Sequence, residues 1–96
     1  MIKRDQQSTR LLFEALSLLG TAEEVQGFLE AICTSQEIDS FAQRFFVAKM
    51  LKENHVYSDI VADTGASTAT ISRVNRSMHE NSESYQNVFE KLSKKN

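Results

Sequence analysis

The stretch TGASTATISRVNR, residues 64–76, decides the fold. A glycine stands where a helix should stop. A helical run follows in which apolar residues are few and small hydroxyl side chains are many. Ile60 and Val61 precede Gly65 in a short segment that begins near Tyr57, and Ile71, Val74 and Met78 share one face of the segment that begins near Ser67. In a helix-turn-helix, a short helix packs by its apolar residues against a second helix that enters the major groove of DNA, often with a glycine in the turn. The spacing around Gly65 matches that template.

The residues pointing away from Ile71 and Val74 are Thr68, Ala69, Ser72 and Asn75 or Arg76. They are small or hydrogen-bonding, so the helix backbone can come close to base edges. Hydroxyls donate to or accept from bases, and an alanine or a threonine methyl can touch the thymine methyl. Arg73, Arg76 and His79 follow on the same helix. Ser58, Ser67 and Thr70 fall at helix starts, where N–H groups and hydroxyls commonly hold phosphates. Serine and threonine near a helix start also serve as caps, and paired short helices occur in many α domains without a DNA role. Periodicity alone leaves both readings open.

Outward from this stretch, helix signals recur. From about Asp5 to Leu19, Leu11, Leu12, Ala15, Leu16 and Leu19 keep helical spacing, and Gly20 stands where a left-handed C-terminal residue belongs. Thr21 with Glu24 forms a capping box, and the helix runs on through Val25, Phe28, Leu29 and Ile32. The same box at Thr34 and Glu37 opens the longest pattern, from about Ser35 to Glu53. There Phe41, Phe45 and Phe46 lie around the helix rather than on one stripe, so it must be covered from several sides. A last segment after Ser82 places Tyr85, Val88, Phe89 and Leu92 at helical spacing and ends in lysines, which suit a helix C-terminus. The expected class is all-α with six helices.

The composition narrows the function. A chain of 96 residues buries only about 60 to 65% of its unfolded surface when alone, so a second copy is the economical cover for the long helix. Its 41% hydrophobic and 25% charged residues, with no proline, indicate a folded globule. The net charge of −2 and pI near 5.6 argue against electrostatic coating of nucleic acid, so any such contact is local. Cys33 is the single cysteine and reads as a small apolar residue. No run reaches the roughly 18 apolar residues of a membrane helix, and no signal-peptide pattern is visible. A cytoplasmic location without a membrane partner is the default expectation. His55 and His79 lack the spacing of a metal site, and no nucleophile, base and orienting group assemble into a known motif. No enzyme activity, metal or cofactor is expected. Tyr57 and Met78 read as core residues.

The run GASTATISR (65–73), following a helix that carries SFAQRFFVAKML (40–51), resembles the Trp repressor superfamily, and more closely its YerC/YecD-type branch. The resemblance covers roughly residues 10 to 93. It implies an intertwined homodimer of six-helix subunits forming a single domain over 1–96. The dimer core would span about 5–53 and 82–94 and the DNA-reading head about 57–79. Phe28, Phe41, Phe45, Phe46, Met50 and Phe89 would supply that core. The resemblance also places Thr68, Ala69 and Ser72 at base-contacting positions and Thr70 at a phosphate contact. The family's basic residues early in the first reading helix are Ser58 and Val61 here.

The Trp repressor binds an indole between two arginines, whose matches are Arg44 and Arg73, with Ser77 and Thr34 at further pocket positions. The small glycine that follows the second arginine is Val74 here, and a β-branched side chain would occupy room that the ring needs. Arg44 can instead pair with Asp39 or Glu37, and Arg73 can meet a phosphate. The expected function is a transcriptional regulator, in default a repressor, whose homodimer reads a palindrome in double-stranded DNA without tryptophan as corepressor. The alternative is a helix-turn-helix module that docks on another transcription component.

Overall fold

A computed structural model describes residues 6–95. It contains six α-helices and, among the described residues, no strand: α1 Gln6–Ser17, α2 Ala22–Ile32, α3 Ser35–Lys52, α4 Tyr57–Thr64, α5 Thr68–Glu80 and α6 Ser82–Ser93. Asp5, expected to begin the first helix, lies outside the described residues. The chain forms two compact units, one ending at Ile38 and the other beginning at Asp39.

In the first unit the caps explain the helix ends. Leu18 and Leu19 donate their N–H groups three residues back, to Ala15 and Leu16, which tightens and closes α1. Gly20 does not take the left-handed conformation expected of it: Gly65 is the glycine with positive φ among the described residues. The Gly20 N–H instead donates to the Glu24 carboxylate at 3.1 Å, while Thr21 Oγ1 accepts from the Glu24 N–H at 3.1 Å. Thr34 and Glu37 make the full reciprocal box, with Thr34 N–H donating to Glu37 Oε1 at 2.8 Å and Glu37 N–H to Thr34 Oγ1 at 3.1 Å. No described residue of this unit is buried, and Leu11, Phe13, Leu18 and Ile32 are all more than half exposed.

The second unit has a core. Val47, Ala48 and Met50 of α3, Ile60 of α4, Ala66 of the turn, Ile71 and Val74 of α5 and Phe89 of α6 form one buried cluster, with Leu51, Met78 and Tyr85 packed against it. α5 packs against both α4 and α6. Burying the cluster's valine, isoleucine, methionine and phenylalanine side chains stabilises by roughly 1.5–3 kcal/mol each, and its alanines by less. Phe45 stacks on Phe89, with ring centroids 5.3 Å apart, and Tyr85 stacks on the same ring at 6.4 Å.

Met50 and Phe89, expected between two subunits, are thus already covered within one chain. Phe28 is half-buried, whereas Phe41, Phe45 and Phe46 keep 37 to 48% of their surface exposed. Tyr57, expected in the core, is exposed in the first turn of α4. Cys33 is half-buried at the C-cap of α2, where its N–H donates to the Leu29 carbonyl.

Gly65 ends α4 with φ 72° and ψ 4°, in the left-handed region that costs an L side chain about 1–2 kcal/mol. A Cβ there would meet nothing within 4 Å, so the cost is conformational rather than steric. Gly65→Ala should lower stability by about 1 kcal/mol and Gly65→Asn by less, since asparagine tolerates this region. Urea unfolding followed by circular dichroism checks both.

Candidate nucleic-acid interface

The turn between α4 and α5 has three residues, and each is fixed by a different device. Gly65 reverses the chain, and its N–H donates to the Val61 carbonyl at 2.9 Å. Ala66 is 2% exposed and anchors the turn in the core. Its N–H donates to Thr64 Oγ1 at 3.1 Å, and the same hydroxyl donates to the Ile60 carbonyl at 2.7 Å. Ser67 is the N-cap of α5: its extended backbone turns the chain into the helix, and its Oγ accepts from the Thr70 N–H at 3.1 Å.

With Ile71 and Val74 facing the core, α5 presents Thr68, Ala69, Ser72, Arg73 and Arg76 to solvent, while Thr70 and Asn75 are half-buried. Ser67 Oγ also donates to Thr70 Oγ1 at 3.1 Å. The Thr70 hydroxyl therefore receives one hydrogen and has its own left to donate to an acceptor such as a phosphate oxygen. Ser58 is exposed in the first turn of α4, whose N-cap, Val56, offers no side-chain acceptor. The N-cap of α4 accordingly makes no side-chain bond to the first N–H groups, while Asp59 adds a negative charge to the same turn. Val61 lies on an exposed part of α4 and adds no charge.

Behind this face, α3, α5 and α6 border a cavity of about 490 Å³. Arg44, Arg73, Val74, Ser77 and Tyr85 are among its lining residues. Thr34 belongs to the first unit and caps α3 there. Val74 is 5% exposed, so its two methyl groups are set into the wall behind Arg73. The Ser77 and Tyr85 hydroxyls lie 3.4 Å apart. Arg44 does not pair with Asp39 or Glu37. Its guanidinium sits over the Phe41 ring, 5.3 Å from the centroid, because Phe41 is one helical turn away. The Glu37 carboxylate is taken by the Thr34 N–H.

The titratable groups add little here. The carboxyl of Glu53, exposed just beyond α3, is held below its ordinary value, chiefly by the hydrogen bond from Lys49 at 3.0 Å. His55 Nε2 stands 3.6 Å from the other oxygen of that carboxylate. Among the described residues, no three histidine, cysteine or carboxylate groups come together as a metal site would need, and no helix is long and apolar enough to cross a membrane.

Comparison with known proteins settles the family. The family model of the Trp repressor protein matches residues 7–93. The chain belongs to the Trp repressor family. The YerC protein of Bacillus subtilis (strain 168) is 42% identical over 81 residues, which cover 84% of this chain and 78% of YerC. A TrpR-like protein of Eubacterium eligens ATCC 27750 superposes with a TM-score of 0.87 at 49% identity, covering 94% of this chain and 93% of its own. A second solved structure, from Staphylococcus aureus, gives 0.86 at 38% identity over 93% and 89% of the two chains. The Trp repressor family is a regulatory, DNA-binding family rather than a family of enzymes.

Sequence reading missed the Gln43 side chain, which donates from Nε2 to the Thr64 carbonyl at 3.1 Å and so joins α3 to the end of α4. A bond between residues 21 positions apart leaves no periodic signal. The Ser67 cap was readable. Ser67→Ala should cost about 1 kcal/mol and Ser67→Gly only a few tenths, with the difference read in thermal unfolding at fixed protein concentration.

Proposed function

We propose that this protein is a sequence-specific transcriptional regulator, in default a repressor, that binds double-stranded DNA as a homodimer. The observation that carries the reading is the outward face of α5. Thr68, Ala69, Ser72, Arg73 and Arg76 are exposed together on a helix whose other face is buried, and membership of the Trp repressor family supports a DNA-binding use of that face. Thr68, Ala69 and Ser72 would meet base edges. Arg73, Arg76, Thr70 and Ser58 would meet phosphates, and Ser67, whose hydroxyl hydrogen goes to Thr70, would do so through its backbone N–H. The exposed Phe41, Phe45 and Phe46 rings support a second copy as the cover of α3. Two copies of α5 about 34 Å apart would then read the halves of a palindrome.

Selection of bound sequences from a randomised duplex library, at near-physiological salt and without added ligand, tests this function. An enriched palindrome is expected. Arg76→Ala should weaken binding to all sequences about equally and reduce the slope of log affinity against log salt by about 1. Protein that is folded and dimeric yet enriches nothing would instead be a module that docks on another transcription component.

Reading without tryptophan is part of the same proposal. Val74, with its methyl groups in the cavity wall, supports it, since an indole ring would need that room. Calorimetric titration of the unmodified protein with tryptophan should give no heat of binding, and Val74→Gly should reopen the space. Binding by the unmodified protein would overturn this part.

A further inference from the structure

The α4–α5 hairpin is held on α3 by two kinds of force. The first is burial of Val47, Ala48 and Met50 with Ile60, Ala66 and Ile71. Hydrophobic burial is strong but non-directional, so it permits small rotations of one helix over another. The second is the hydrogen bond from Gln43 Nε2 to the Thr64 carbonyl, which is part-buried and spans 21 positions of sequence. A hydrogen bond fixes distance and angle.

Thr64 is well placed to transmit that constraint. Its carbonyl is one of the orphan acceptors at the end of α4, and Gln43 satisfies it from another helix. Its hydroxyl binds the Ile60 carbonyl behind and the Ala66 N–H ahead. Gly65 then turns the chain and Ser67 starts α5. The pose of α3 thus reaches the first turn of α5 through one residue, by bonds of 3.1 Å, 2.7 Å and 3.1 Å.

We propose that Gln43 is a positioning residue. It fixes the pose of the α4–α5 hairpin on α3 and, in a dimer, the separation at which the two copies of α5 meet successive major grooves. The second half of this inference rests on the DNA-reading function proposed above. Gln43 touches no base or phosphate in this scheme and acts only through the turn.

The test compares the full-length protein with Gln43→Met, which keeps the length of the side chain and removes the donor. Affinity is measured for the selected palindrome, for the same palindrome with its half-sites moved apart by one base pair, and for random duplex. Residual dipolar couplings of α3, α4 and α5 are recorded on the free proteins. Gln43→Met should bind random duplex like the parent, lose about fivefold on the selected palindrome, and discriminate less against the shifted spacing, with couplings of α4 and α5 altered relative to α3. Unchanged palindrome affinity, spacing preference and couplings would overturn the inference, as would equal losses on all three duplexes. If the parent selects no sequence, the DNA-reading function falls by itself. The couplings then decide whether Gln43 sets the hairpin's pose. If Gln43→Met does not fold, Gln43→Glu, which keeps the shape and sets a carboxylate against the carbonyl, is measured in its place.

Discussion

An eight-residue helix does not persist in water. Helices shorter than about 12–15 residues are marginal even in favourable sequences, so α4 exists because Ile60 is fully buried in a cluster built from α3, the turn, α5 and α6. α5, with 13 residues, depends on the same cluster through Ile71 and Val74. This dependence has a functional consequence. Since burial of one face stabilises the helix, the opposite face need contribute nothing to folding. It can therefore carry threonine, serine and alanine, which are poor at packing but well suited to close approach by another molecule.

The parts of the fold that depend on local chemistry were legible in the sequence. The Thr34–Glu37 box, the Ser67 cap and the Gly65 reversal are each set by residues within four positions of one another. Gly20 shows where local reasoning fails. A glycine after an apolar helix fits a left-handed cap, but the Glu24 carboxylate competes for its N–H, and α1 closes earlier by short bonds at Leu18 and Leu19. Arg44 shows the same limit at a site residue. Carboxylates five and seven positions away looked like partners, yet on a helix the neighbour in reach is Phe41, three positions back. Gln43 was illegible because nothing near it in sequence announces a carbonyl 21 positions later.

The cavity behind α5 bears on the proposal that the protein works without tryptophan. Arg44, Arg73, Ser77 and Val74 all border this cavity. A glycine at that position leaves room beside the arginine. Valine fills part of it and adds apolar burial to the contact of α5 with the core. In the proposed function, valine at this position would favour a hairpin held by the protein's own side chains over one held by a bound ring.

Electrostatics then explains why such holding matters. The chain is acidic as a whole, and the hairpin carries two carboxylates, Asp59 and Asp63 on α4, as well as Arg73 and Arg76 on α5. A duplex reader with so little positive charge gains little from sequence-independent attraction to phosphates, the term that dominates affinity in strongly basic proteins. In the proposed function, more of its binding would come from base-edge contacts by short side chains such as Thr68, Ala69 and Ser72. Those contacts tolerate displacements of only a fraction of an ångström, whereas a lysine or arginine on a long flexible stem follows a phosphate over several. Short side chains that read bases from a weakly charged helix would therefore require a rigidly posed hairpin. The Thr64 network and the Gln43 bond, directional contacts added to a non-directional core, meet that requirement.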